Sequence, residues 1–286
     1  GKAMKTRIIS ASVGIVIFIA AVAAAVVISP LILHVLLTAV GCIGVYEALK
    51  PTGYVKSKFI LVSSLCYAAL TPFVYSIELV ASELKFELSI RHEVCLVIYG
   101  FILFVVGMMK HKEIDPRQVS FAFTATVAIT FCFWSLAAVF SERDGHGLFY
   151  LLLVFIAAWI CDTGAYFAGY FFGKHKMAPN ISPKKTIEGA VGGVILDVVV
   201  MIAACLIFNR LTDYTANTLL VGVLTPVFAL SGMLGDLIFS YIKRDCGIKD
   251  YGKIMPGHGG VLDRFDSVIA VAPLMYLVLK HFTIVF

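Results

Sequence analysis

Charge is scarce in this chain. Asp, Glu, Lys and Arg make up 14% of its 286 residues, against 60% apolar residues. A soluble domain carries about 25% charged and 45–50% apolar residues. The chain therefore lacks the polar atoms to cover a surface in water. Disorder needs low hydrophobicity and high charge, and is excluded as well. The ~10-residue alternating segments of a membrane β-barrel are missing. Cysteine pairing signals are missing too: the seven cysteines are odd in number and form no CxxC. Six of them, all but Cys246, lie in or at the edge of apolar runs. They read as small buried hydrophobes, with neither a disulfide framework nor a zinc site. Repeats, low-complexity tracts and domain-separating linkers are absent. No basic–aromatic domain exists outside the apolar runs, so nucleic acid is not an expected partner.

What is present is a series of long apolar runs. They predict an all-α, polytopic integral membrane protein, with residues 1–286 as one membrane domain. Gly1-Lys2-Ala3 precedes Met4 and is set aside as a cloning remnant. Nine stretches approach the ~20 residues that cross a bilayer. They run over residues 8–28, 31–49, 59–75, 94–109, 120–140, 148–172, 186–208, 219–239 and 261–286. The first is too long for a signal-peptide core and is expected to be retained. Only Ser29-Pro30 separates it from the second, so a tight hairpin and a kinked re-entrant pair are both open. Eighteen of the 23 Lys and Arg fall in one set of alternate connecting segments. The positive-inside rule then places the N-terminus in the cytoplasm and, with nine spans, the C-terminus outside. Residues 76–93 lie outside on this reading. Leu79, Phe86 and Ile90 recur there at near-helical spacing, compatible with an interfacial helix or a solvated face.

The two halves differ in their polar content. Residues 4–157 read mainly as scaffold, with His34, at an outer edge or interface, as the one ionisable exception inside their spans. Residues 158–286 read as catalytic helices and cytoplasmic loops. Asp162 is central in the sixth span, Glu188 and Asp197 are in the seventh, Asp236 is in the eighth, and Asp263 and Asp266 open the ninth. Intramembrane acids are expensive and are functional candidates by default. All but Asp197 lie toward the side that carries the two richest basic loops. Carboxylates beside cations suit Mg²⁺ with a polyphosphate: the acids hold the hard ion, and Lys and Arg neutralise phosphate oxygens.

Spacing sharpens the picture. Asp236 and Ser240 are i, i+4, and Lys243 and Arg244 continue that face. Asp263 and Asp266 are i, i+3 and are expected to aim at one ion. Asp162, Tyr166 and Gly169 share a stripe, where Gly164, Gly169 and Gly173 permit close backbone approach. The loop Pro256-Gly257-His258-Gly259-Gly260 feeds the ninth span, and a glycine nest at a helix N-terminus binds phosphate. Other readings stay open. Asp162 and Asp197 could be polar glue between helices. Asp250 could pair with Lys249 or Lys253. His258 could be a loop hydrogen-bonder. Lys174 and Lys176 could set topology or touch anionic lipid.

These residues resemble the signature of the CDP-diacylglycerol synthases, or phosphatidate cytidylyltransferases. The match runs Ser240-x-x-Lys243-Arg244-x4-Lys249-Asp250-x-Gly252, then Pro256-x-His258-Gly259-Gly260-x-x-Asp263-Arg264-x-Asp266. Two further segments are similar: Asp162-Thr163-x-Ala165-Tyr166-x-x-Gly169-x-x-Phe172-Gly173-Lys174-x-Lys176, and Ser182-Pro183-x-Lys185-Thr186-x-Glu188-Gly189. Met255 departs mildly, where Leu, Ile or Phe is the norm. The first half matches only in being hydrophobic.

The resemblance implies that CTP and phosphatidic acid give CDP-diacylglycerol and pyrophosphate, with Mg²⁺ as one or two ions and Mn²⁺ as a substitute. The implied catalytic set is Asp236, Lys243, Arg244, Asp263 and Asp266, with Asp236, Asp263 and Asp266 as metal ligands. The implied substrate-binding set is Asp162, Tyr166, Lys174, Lys185, Glu188, Ser240, Lys249, Asp250, His258, Gly259, Gly260 and Arg264. Lys243, Arg244 and Lys249 would clamp phosphates, while Glu188, Lys185 and Asp162 would shape the lipid pocket. Membrane lipids are expected partners, and a homodimer is open. The expected location is the inner membrane, with the site facing the cytoplasm. Two alternatives stand beside this reading: a CTP-dependent polyprenol kinase, and a secondary transporter with intramembrane acids.

Overall fold

The computed structural model describes residues 2–83, 92–142, 145–252, 254 and 259–286. Eleven helices and one small hairpin are assigned among them. Five helical stretches are long and apolar enough to span a membrane: 31–49, 116–140, 147–172, 187–211 and 218–245. Four shorter apolar stretches lie at 16–27, 58–74, 93–109 and 268–281. The chain divides into two compact units. One comprises residues 1–137 and 246–264, the other residues 138–245 and 265–286.

The first unit begins with α1 (Lys2–Val27) and α2 (Leu31–Leu49), which pack on each other. α3 (Lys58–Glu83) packs on α2 and on α4 (His92–Met109). α5 (Pro116–Phe140) begins in this unit. α3 runs eight residues beyond the predicted end at Tyr75. Leu79 falls inside it, whereas Phe86 and Ile90 lie outside the described residues. Tyr67 and Tyr99 stack at 4.5 Å, and the Tyr99 hydroxyl meets Ser64 Oγ at 2.8 Å. Pairing the two hydroxyls removes the cost of burying them. Gly44 of α2 packs against Leu262 and Ile129, bringing the returning segment 246–264 onto the early helices.

The second unit holds α6 (Gly147–Phe155) and α7 (Cys161–Phe172), joined through a π-helical turn at Ile156–Ile160. The spacing of apolar residues did not mark this turn. A hairpin follows, β1 (Lys176–Ala178) against β2 (Ser182–Thr186), a small β element within the expected all-α fold. Thr186 then caps α8 (Ile187–Leu211), its hydroxyl accepting from Gly189 N at 3.1 Å.

α8 has two apolar faces. Ile187, Val191, Ile195 and Val199 form an exposed stripe at i, i+4, suited to lipid. Gly189, Gly193, Asp197, Met201 and Cys205 form the buried stripe. The glycines allow α7 to come close. A Cβ at Gly193 would lie 2.7 Å from Cys161 O, and one at Gly189 2.7 Å from Ala165 O. The predicted close approach at Gly164 and Gly169 is therefore present, against Gly193 and against Thr186 and Gly189 respectively.

α9 (Thr218–Asp245) packs on α8 and on α11 (Val268–His281). The expected ninth span is not one helix. α10 (Leu262–Phe265) is a single turn, Asp266 and Ser267 interrupt it, and residues 282–286 leave α11 as extended chain. The break has a local cause: Asp266 Oδ1 accepts from Ser267 N at 2.9 Å, one of the short-range bonds by which Asp competes with helix.

Candidate active site

The second unit brings together six of the polar residues singled out from sequence: Asp162, Lys185, Asp236, Ser240, Lys243 and Asp266. Lys185 Nζ lies 2.6 Å from Asp236 Oδ2, both side chains being largely enclosed. Ser240 donates to Asp236 Oδ1 at 3.2 Å, as the i, i+4 spacing predicts. Ser267 Oγ donates to Asp162 Oδ2 at 2.6 Å, tying α7 to the break before α11. Asp266 lies near enough to Asp236, Asp162 and Lys243 for their charges to act on it. Asp162, Asp236 and Asp266 thus share one neighbourhood with Lys185 and Lys243. Three carboxylates against two ammonium groups leave one negative charge, and like charges repel when no cation balances them.

This oxygen-rich surplus fits a hard divalent ion in kind. Among the described residues, however, no three His, Cys, Asp or Glu side chains stand together as a metal cage. Asp263 is used differently. It belongs to the first unit, where its Oδ2 accepts from Tyr251 N at 2.8 Å and Gly260 N at 2.9 Å.

The basic residues have distinct jobs. Arg244 Nε donates to Ile181 O at 3.3 Å, holding the turn of the β1–β2 hairpin to the end of α9. Lys174 and the imidazole of His175 gather at Glu188: its carboxylate accepts both backbone amides at 3.1 Å and meets His175 Nδ1 at 2.5 Å. Glu188 is therefore the anchor of the turn before β1. Lys174 itself is exposed, as are Lys249, Asp250 and Arg264. Tyr166 is 67% exposed and its ring meets Phe167 edge-on at 5.4 Å. His258 lies outside the described residues. Gly259 adopts φ +88°, a left-handed conformation that favours glycine, and Gly260 follows it.

Two acids look different in three dimensions. Asp197 is 0% exposed and neither oxygen has a hydrogen-bond partner among the described residues, so it does not tie helices together as polar glue. Glu47, passed over in the sequence, is 1% exposed and accepts from Leu262 N at 3.0 Å. The expectation that the early spans carry no ionisable group but His34 is corrected by it. His34, expected at an outer edge or interface, is enclosed by protein at 2% exposure. Tyr251, Gly260 and Leu262 thus spend their amides on the chain's own carboxylates, where the glycine-rich loop suggested phosphate.

With this geometry in view, comparison with known proteins is decisive. The profile of the cytidylyltransferase family matches residues 5–282. The chain belongs to the cytidylyltransferase family. It is 40% identical over 186 residues to a phosphatidate cytidylyltransferase of Staphylococcus epidermidis, covering 63% of this chain and 68% of the relative. A phosphatidate cytidylyltransferase of Staphylococcus haemolyticus is 40% identical over 190 residues, 64% of this chain and 68% of its own length. One from Staphylococcus aureus (strain COL) is 44% identical over 155 residues, 52% of this chain and 58% of its own. As a cytidylyltransferase, the chain carries its Asp162, Lys185, Asp236 and Asp266 neighbourhood in the part with the family signature.

Proposed function

We infer that the protein transfers the cytidylyl group of CTP to phosphatidate, giving CDP-diacylglycerol and pyrophosphate. Family membership supplies the reaction class, and the relatives' names supply the lipid. The observation that carries the site is the Lys185–Asp236 ion pair flanked by Asp162 and Asp266. A phosphatidate oxygen attacks the α-phosphorus of CTP while pyrophosphate leaves on the opposite side. A phosphate monoester is already anionic near neutral pH, so positioning and charge neutralisation dominate over base catalysis.

Each residue then has a task. Lys185 and Lys243 offset the negative charge of the converging phosphates. Arg244, anchored to Ile181, and Lys249 hold phosphate oxygens. Asp162, Glu188 and the hairpin shape the lipid side, with Lys174 at its rim. Asp236 and Asp266 are the ligands proposed for Mg²⁺, or Mn²⁺ in its place, while Asp263, the third acid of the signature, holds the Tyr251 and Gly260 amides. Such an ion supplies charge neutralisation at the triphosphate. Nine spans, a cytoplasmic N-terminus and a cytoplasm-facing site in the inner membrane complete the reading, supported by the charge asymmetry.

The test is the purified protein in vesicles containing phosphatidate, with radiolabelled CTP and Mg²⁺. Lipid-linked CMP is the expected product. A phosphorylated lipid alcohol or solute uptake without lipid chemistry would overturn the reading.

A further inference from the structure

Glu47 lies two residues before the end of α2, in a helix that is otherwise apolar around it. A buried carboxylate is costly unless its oxygens are satisfied. One oxygen accepts from Leu262 N, and Oε1 has no hydrogen-bond partner among the described residues. Two glycines of the signature segment close over it. A Cβ at Gly260 would stand 2.5 Å from Oε2 and 2.6 Å from Oε1, and one at Gly252 would come closer still to Oε1. Neither glycine has a positive φ, so other residues could adopt either backbone conformation. What these positions require is space for the carboxylate. Glu47 also lines, with Lys249, Asp250 and Tyr251, a cavity of about 510 Å³. The acid therefore sits directly beneath the loop residues assigned to the nucleotide.

We propose that Glu47 is a positioning residue for CTP: it seats Gly252 on one side and Gly260 and Leu262 on the other, and thereby fixes the approach of Lys249, which lines the same cavity, to the triphosphate. The proposal rests on the cytidylyltransferase reading. The residue that this seat positions is Lys249, assigned above to phosphate oxygens of the nucleotide, so the loss of the seat is read in CTP and phosphatidate serves as the internal control.

The experiment compares wild type, Glu47→Ala, Glu47→Gln, Gly260→Ala and Glu47→Ala/Gly260→Ala in phosphatidate vesicles. It reads KM for each substrate, kcat, and hydrogen exchange at the Leu262 amide. Glu47→Ala should raise the CTP KM at least tenfold, keep the phosphatidate KM within twofold, and speed Leu262 exchange. Glu47→Gln keeps an acceptor and the volume, and should recover most of the loss. Gly260→Ala should be impaired by collision with the carboxylate, and Glu47→Ala in the same chain should relieve part of that impairment. Should Glu47→Ala fail to fold, Glu47→Asp decides, its carboxylate drawn back by one methylene. A threefold or larger rise in CTP KM alone supports the proposal, and an unchanged CTP KM overturns it. Equal losses in both KM values, or an unchanged Leu262 exchange rate in Glu47→Ala, would overturn the seat. A wild type that converts no CTP at all overturns the functional reading instead, and with it the substrate named here.

Discussion

In the proposed site the Lys185–Asp236 pair is the centre at the residue scale. Removing one member of an enclosed pair leaves the other charge uncompensated. A hydrogen bond to a charged group is worth roughly 1.5–3 kcal/mol. Lys185→Ala should therefore lower kcat/KM about ten- to a hundredfold, measured as CDP-lipid formed per folded enzyme. Asp266→Asn probes the metal. Asparagine keeps the size and the local bond to Ser267 N but is a weaker ligand for Mg²⁺. The variant should fold, lose most activity, and shift its Mg²⁺ midpoint upward, while Asp197→Asn leaves that midpoint in place. An unchanged midpoint in Asp266→Asn would remove the residue from the proposed metal site. These acids were legible because single-sequence reasoning marks any charge inside an apolar run, and Asp236 with Ser240 followed from helical spacing alone. Glu47 lies inside the run 31–49, where the same rule should have marked it; it was passed over because it stands two residues from the end of that run, close to Lys50, and its partner Leu262 is 215 residues away.

Helices and their contacts obey more local rules, so most were legible. The glycines of α7 are an example: Gly164 and Gly169, read as a stripe of close approach, meet Gly193 and Gly189 of α8. Gly193→Ala would push a methyl against Cys161 O and the Ala165 side chain. Overpacking of this kind costs about 1–3 kcal/mol, so the thermal midpoint in detergent should fall. Gly14→Ala, with nothing within 4 Å, should hold or raise it. A midpoint unchanged in Gly193→Ala would show that α7 and α8 have slack. The π-turn, the hairpin and the broken ninth span were not legible. Each depends on a few competing hydrogen bonds, such as Asp266 to Ser267 N, that leave the apolar pattern intact.

At the scale of the whole molecule, the charge asymmetry makes a direct prediction. Cys246, half-buried after α9, should be labelled by an impermeant thiol reagent from the cytoplasmic side in a chain lacking the other cysteines. Labelling only from outside would invert the topology and put the site in a compartment without CTP. The same scale carries a consequence of the Glu47–Leu262 bond that concerns time. A chain grows at ~5–20 residues per second, N-terminus first. The amide that Glu47 needs is made about 10–40 seconds after Glu47 itself is added to the chain. For that interval α2 carries a carboxyl group with no native partner, and a ribosome stalled before Leu262 leaves it so. Truncated chains ending before residue 260 should then be cleared faster by membrane proteases than Glu47→Leu versions of the same truncations, and pulse-chase half-lives would show it.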